Sequence, residues 1–294
     1  MHDKTSVKFI WVMILNFLIT IAEFLGGIFS GSLALLSDAL HNLGDTGAIV
    51  LSFFAHLISK KSKDHIKTFG YERAETLAAF TNGVILVVIS FFLIIEAIER
   101  FLKPEPIKGN IMLIVAIIGL IANLISMFAM HNDSKANLNV KSTFIHMLSD
   151  ALSSIVVVIG AIFIKIWHWE WLDPTLTILV SIFILYEAFK IIKSAANVLM
   201  ESNPSIDLDQ VKAIMLTIPE IANVHHVHLW RYSDQLIMLD AHINVCSNLE
   251  IEELEKLYNE IEDKLSPLGI NHITLQAECN RGLKEKMIDT SQSD

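Results

Sequence analysis

A bundle of six transmembrane helices followed by a cytoplasmic α+β domain is the fold class this sequence predicts. Three observations predict it. Of 294 residues, 53% are hydrophobic and only 18% charged, against about 25% charged in soluble proteins. Six apolar stretches, each near the roughly 20 residues that cross a bilayer, lie before residue 200. After Pro204 the apolar runs stop, and amphipathic and alternating segments take over.

The spans fall at about 7–29, 33–58, 74–102, 111–130, 142–166 and 174–199. The opening MHDKTSVKF leads into a full-length apolar stretch with no A-x-A-like cleavage site, so the first span reads as a retained helix. Only Ser30–Ser32 separates spans one and two, which makes them a helical hairpin. Gly26, Gly27, Gly31, Gly44 and Gly47 are expected to let helices approach closely. Lys4, Lys8, Lys60, Lys61, Lys63, Lys67, Arg73, Lys135 and Lys141 fall on one side of the alternating spans; Arg100, Lys103, Lys108 and Lys165 fall on the other. The richer side is cytoplasmic by the positive-inside rule, which places both termini inside. Trp167, Trp169 and Trp171 suit an outer interfacial belt.

The part after Pro204 reads as helix 207–218, strands 223–232 and 235–246 joined at Ser233–Asp234, helix 251–265 and strand 270–279. The order αββαβ predicts an open-faced sandwich of three strands and two helices. Period-2 parity puts Val227, Leu229, Leu239, Ala241, Ile243, Ile273, Leu275 and Ala277 against the helices. The other face receives His226, His228, Asp240, His242, Asn244, His272, Gln276 and Glu278. Four histidines and two carboxylates on one face suit divalent-metal ligation, or a polar dimer interface, or both. His225, opposite in parity to His226, is expected to face the helices or an edge. Cys246 and Cys279 fall with the packed set; two thiols without a CxxC spacing form no disulfide framework and fit a reducing compartment. The domains are 1–202 in the membrane and 203–282 outside it, with a flexible tail at 283–294. The net charge of −10 comes mostly from the stretch after Glu201 and argues against nucleic acid as a partner.

Chemistry concentrates in the spans. SDALHNLGD (37–45) holds His41 and Asp45, and HMLSD (146–150) holds His146 and Asp150. Four-residue spacing sets each His and Asp on one helix face. Ionised groups inside a bilayer are costly, so the two pairs should face each other or a wet cavity. Two imidazoles and two carboxylates form a tetrahedral set that suits zinc. Both pairs lie early in spans two and five, which we read as both running from outside to inside, so the pairs sit at similar depth. Asp38, seven residues before Asp45, is a candidate for the cation pathway. Glu23, Asn16 and Asn123 would line the cavity or bond between helices, the second role being favoured for the asparagines. An intramembrane metallohydrolase would need an open coordination position and a base such as the glutamate of HExxH. Neither pair is followed by one, and no enzymatic activity is expected. A membrane metal sensor that holds zinc without moving it is the second reading.

In order and spacing, the six spans, FGYERAE (69–75), the two HxxxD pairs, LMESNP (199–204) and HHVHLW (225–230) resemble the cation diffusion facilitator family, close to its bacterial zinc exporters. The resemblance covers nearly the whole chain. It implies a homodimer in the bilayer of the cell (inner) membrane that exports divalent metal in exchange for protons. It also implies a metallochaperone-like cytoplasmic domain that binds Zn2+ and tightens the dimer. The transport metal would sit on His41, Asp45, His146 and Asp150. The cytoplasmic zinc would sit on His228, His242 and Glu278, with His226 and His272 as neighbours. Relatives with Asp at the first His position tolerate more metals, cadmium included; His41 matches the zinc-preferring version, with Co2+ and Cd2+ as alternative main substrates. Some members carry a loop metal site before FGYERAE; Lys67 and Tyr71 replace two of its histidines here, leaving only Asp64 and His65, so that site is not expected. Arg73 and Glu201 are placed for a charge interlock between spans three and six.

Overall fold

The computed structural model describes residues 2–131, 138–233, 236–245 and 249–288, the side chains of 2–10, 130–143 and 146 excepted. Six long helices come first: α1 (His2–Ser30), α2 (Leu33–Ser59), α3 (Ala74–Leu102), α4 (Gly109–His131), α5 (Leu138–Trp167) and α6 (Leu172–Leu199). Then follow α7 (Leu208–Met215), β1 (Ile221–Arg231), β2 (Ile237–Val245), α8 (Ile251–Leu265) and β3 (His272–Glu278). The six helices and the αββαβ order stand where the sequence places them. Five of the six long helices are apolar and long enough to cross a bilayer. The exception is α2, whose Asp38, His41, Asn42 and Asp45 lower its hydropathy. The chain forms two compact units, Met1–Ala55 with Ala78–Ile192, and His56–Leu77 with Lys193–Asp294.

In the first unit α4 packs on both α1 and α5. The outward faces carry large apolar side chains, Phe92 being 75% exposed and Ile114 60%. Such surface is stable against lipid and would drive aggregation in water. The α1–α2 hairpin turns at Gly31, whose φ of 75° is left-handed and costs glycine nothing. A Cβ added at Gly27 would meet the backbone of Leu36 at 3.0 Å, and one at Gly26 would meet Val115 at 2.7 Å. Gly44 is packed as closely against Leu86, but Gly47 has open space around it and makes no close approach. The start of α2 is capped from another helix. Asp173 of α6, fully buried, accepts hydrogen bonds from Ser32 Oγ (2.5 Å), Leu33 N (2.8 Å) and Ala34 N (3.2 Å). A helix N-terminus leaves N–H groups unpaired, and a carboxylate there also meets the positive end of the helix dipole.

Helices α2 and α5 lie antiparallel, which corrects the expected common direction. Asp38 bonds to Ser153 and Ser154, His41 meets Asp150, and Ala34 and Leu35 pack in one cluster with Val157 and Ala161. Six alternating spans send even- and odd-numbered helices in opposite directions, so spans two and five cannot share one. The two HxxxD segments therefore meet by antiparallel register.

In the second unit the sheet order is β1-β2-β3, with β1–β2 antiparallel and β2–β3 parallel. A parallel neighbour needs a crossover, and α8 is that crossover. Val211, Met215, Ile218, Leu239, Ile243, Leu257, Ile261 and Leu265 fill a core between the helices and one sheet face. Each fully buried Leu or Ile contributes about 1.5–3 kcal/mol. Asp207 Oδ1 caps α7 through Asp209 N, and Glu253 Oε2 accepts from Glu250 N at the start of α8. Glu278 ends β3, so Cys279 falls outside the strand and is exposed instead of filling the core; Cys246 lies outside the described residues.

The tail expected to be flexible from residue 283 is bound over 283–288. Asn223 Nδ2 donates to the carbonyls of Gly282, Leu283 and Glu285, and Val227 N donates to Met287 O. The physical reason is the open edge of β1, which leaves backbone groups to be satisfied, together with Met287, which packs against the domain core.

Candidate metal sites

The first candidate site is built by α2 and α5. On α2 the spacing of Asp38, His41 and Asp45 (i, i+3, i+7) puts all three on one face. His41 is 8% exposed and Asp150 4%. His41 Nε2 stands 3.7 Å from Asp45 Oδ2 and 3.8 Å from Asp150 Oδ1, and the three donors lie within 4.8 Å of one another. Zinc bonds of about 2.0–2.1 Å at tetrahedral angles set neighbouring donors about 3.3 Å apart, so small side-chain rotations would close this set on an ion. His146 lies on α5 one turn before Asp150; its side chain is outside the described residues.

Asp38 is not part of that donor group. Its oxygens accept from Ser153 Oγ (3.1 Å) and Ser154 Oγ (3.4 Å) of α5. Ser154 Oγ in turn accepts from Asn123 Nδ2 of α4 at 2.9 Å, the helix–helix role expected of an intramembrane asparagine. Glu23 accepts from Asn42 Nδ2 at 3.0 Å, which ties α1 to α2 beside His41. These bonds fix the rotation of α2 and so aim its ligands. The sequence reading missed Asp173, Ser153 and Ser154 as parts of this arrangement. Serines inside an apolar helix are too common to single out, and an acid before Pro174 resembles any loop residue.

The second candidate site is on the polar face of the sheet. His225 Nε2 is 3.4 Å from Glu278 Oε2, and His242 Nδ1 is 3.3 Å from Glu278 Oε1. These three residues also gather their donors within 4.8 Å. Nδ1 of His225 and Oε2 of Glu278 are buried without a hydrogen-bond partner. An orphaned buried polar atom costs about 1–3 kcal/mol, and a cation held by Glu278 would relieve that cost. Burial holds the pKa of His242 below the ordinary imidazole value, against the opposing pull of Glu278. That favours the neutral ring, the form that binds metal.

His225 belongs to this group, where the expectation was a place facing the helices or at an edge. The register of β1 shifts between His225 and His228, where His226 and Val227 oppose Ala241 alone, and His226 has φ 49°. Such a β-bulge inserts one residue and inverts strand parity. Val224 and Val227 both enter the core, and His225 and His228 therefore share the polar face. His228 Nε2 lies 3.4 Å from His226 Nε2, and the His226 ring is 4.6 Å from that of His242. This exposed pair borders the buried trio. His272 is placed apart: it registers with Met238, four residues along β2 from His242, and meets the edge of Phe69 at 6.1 Å.

Arg73 Nη2 pairs with Glu201 Oε1 at 3.0 Å, and the same guanidinium lies 4.5 Å above the ring of Tyr232. Asp64 is engaged in its own loop, accepting from Ile66 N, Lys67 N and Tyr71 Oη. These bonds, the Lys67 backbone N–H foremost, lower its pKa from the ordinary carboxylate value.

Comparison with known proteins finds two family domains in the chain. Residues 9–200 match the cation efflux transmembrane domain, and residues 203–279 match the cation efflux protein cytoplasmic domain. The cadmium, cobalt and zinc/H(+)-K(+) antiporter of Bacillus subtilis is 38% identical over 279 residues, which is 94% of this chain and 89% of that protein. The zinc transporter ZitB of Escherichia coli is 39% identical over 262 residues, covering 88% and 82% of the two chains. The metal cation efflux system protein CzcD of Cupriavidus metallidurans is 36% identical over 279 residues, covering 94% and 87%. With both family domains matched in order along nearly the whole chain, this multi-pass membrane protein belongs to the cation efflux family, the cation diffusion facilitators.

Proposed function

We propose that the protein is a homodimeric exporter of divalent cations, zinc foremost, that moves metal out of the cytoplasm in exchange for protons. The observation that carries this reading is the convergence of His41 Nε2, Asp45 Oδ2 and Asp150 Oδ1 from two antiparallel helices at a buried position inside the span region. The names of the relatives, which mention zinc, cadmium and cobalt transport, support the substrate class. His146, one turn from Asp150, completes the donor set, and Asp38 stabilises the helix pair beside it. The lysine distribution supports a cytoplasmic-membrane location with both termini inside.

The chemistry couples metal to protons. Two ionised aspartates and a divalent cation sum to zero charge, whereas an empty site would keep two carboxylates close together in a low-dielectric setting. Protons therefore replace metal on the same side chains, and metal binding releases them. Imidazole is the side chain whose charge changes between acidic and neutral pH, so a pH difference can drive the exchange. Alternating access further requires that ligand geometry differ between the inward- and outward-facing states, because a ligand shifts an equilibrium only through differential affinity.

Zinc flux into proteoliposomes under an imposed pH gradient tests this reading. Flux that follows the gradient is the expected result; zinc binding with no flux under any gradient would instead establish a sensor. Selectivity tests His41. His41→Asp shortens one ligand and removes a nitrogen donor that favours tetrahedral zinc, so cadmium flux relative to zinc should rise severalfold in competition assays. An unchanged ratio would remove His41 from the selectivity set.

On the sheet, His225, His242 and Glu278 would hold a regulatory zinc, with His226 and His228 beside it. Bound cation would offset the acidic charge of this domain and favour dimer contact. The Arg73–Glu201 pair is exposed and so contributes at most about 1 kcal/mol; its proposed role is to interlock the exits of α3 and α6 in one arrangement.

A further inference from the structure

We propose that residues 280–288 form a strap fastened by metal, in which Glu285 supplies a further ligand to the site of His225, His242 and Glu278. The inference rests on the reading of that trio as a metal site. Three protein donors leave a tetrahedral ion one position short. Glu285 Oε2 stands 3.8 Å from His225 Nε2, on the atom that also faces Glu278. Its side chain is otherwise 66% exposed, so a water-loving carboxylate reaches back to a ring that is 1% exposed.

The strap is built to hold that position. Asn244, buried, donates through Nδ2 to Arg281 O at 2.7 Å and Cys279 O at 3.4 Å. Asn223 gathers the carbonyls of Gly282, Leu283 and Glu285, and Met287 O receives Val227 N at 2.9 Å. Gly282 has φ 67°, and a Cβ there would lie 2.0 Å from His225 Nε2. The backbone is thus pressed onto the proposed ligand nitrogen at the one residue type that permits it. Without a cation, Glu278 and Glu285 bring two negative charges to one imidazole, while Gln276 Nε2 donates to Glu278 Oε1 at 2.6 Å and Arg281 Nη1 lies 3.8 Å from the same oxygen. With a divalent ion between them the repulsion becomes attraction, so occupancy of the site and closure of the strap stabilise each other. Metal on the sheet is thereby reported in residues 280–288.

The test uses the full-length protein in detergent carrying Asp150→Ala, so that the intramembrane site does not compete for zinc. Zinc affinity is measured against a chromophoric chelator, and hydrogen exchange is followed in peptides covering 280–288. In this parent, zinc should slow exchange of the strap by about tenfold or more. Glu285→Gln should abolish that protection and weaken the cytoplasmic zinc affinity about 10–100-fold. Gly282→Val, which forces the strap off His225 without removing a ligand, should reproduce the loss of protection. Wild-type affinity and protection in Glu285→Gln, with binding lost in His242→Ala, would overturn the strap and leave the sheet site standing. The strap falls also if His226→Ala weakens binding while Glu285→Gln does not, since His226 would then be the further ligand. Absence of zinc from the parent's sheet would overturn both readings.

Discussion

Asp150→Ala should abolish zinc transport while the protein still folds and inserts. Asp150 is 4% exposed and faces His41 across the α2–α5 contact, so its carboxylate points into the candidate donor set and not to the surface. Changing a residue that merely orients a metal ligand costs 10–100-fold; losing a ligand should cost more than about 100-fold in flux. Asp150→Asn separates charge from shape. It keeps an oxygen donor of the same reach but leaves the site one negative charge short of neutralising a divalent ion. If charge balance drives exchange with protons, Asn should be nearly as inactive as Ala. Folding should survive both changes, because Asp45 and Asp150 bring like charges to one imidazole nitrogen and removing one relieves their repulsion. Monodisperse elution and an unchanged thermal midpoint would show this. Normal flux in either variant would take Asp150 out of the pathway. Asp45→Ala is expected to behave alike, since Asp45 faces the same imidazole nitrogen.

Much of this architecture is legible in the sequence, for a simple physical reason. Bilayer thickness turns each crossing into a long apolar run, so the limits of α2, α3 and α6 could be read nearly to the residue. The candidate ligands stood out because charge inside such a run is expensive. What escaped was register. Nothing in HHVHLW announces that His226 takes φ 49° and inverts parity, although that one residue moves His225 from the helix side of the sheet into the buried trio. The relative direction of α2 and α5 follows from counting crossings, not from the motifs, and the depth argument failed where the count was not applied. The strap escaped because 283–288 is too short to show a helix or strand period and follows the last alternating segment; its anchor is Met287 and the open edge of β1, a tertiary fact.

Removing the cap that Asp173 places on α2 should be the most destabilising single change in the membrane unit, and should weaken the metal site with it. The carboxylate satisfies Ser32 Oγ, Leu33 N and Ala34 N from a fully buried position. Loss of an N-cap costs about 0.5–2 kcal/mol, and each buried donor left unpaired about 1–3 kcal/mol. Relaxation and partial hydration recover part of that sum, so Asp173→Ala should cost about 2–4 kcal/mol. Asp173→Asn keeps one carbonyl oxygen for the two N–H groups and should lose about half as much. The effect should reach the site because Leu33 and His41 are eight residues apart on one helix, about 12 Å at 1.5 Å per residue. Ligand positions matter within about 0.5 Å, so a start that is free to fray or rotate loosens the aim of His41 and Asp45 together. Denaturant unfolding in mixed micelles would read the stability, and zinc titration of the intramembrane site, with the sheet site silenced by His242→Ala, would read the affinity. Both should fall in the order wild type, Asn, Ala. If stability falls but affinity holds, the Glu23–Asn42 and Asp38–Ser153 bonds alone aim α2, and the cap acts only as a fold anchor. If neither falls, the capping carboxylate does not hold the helix start.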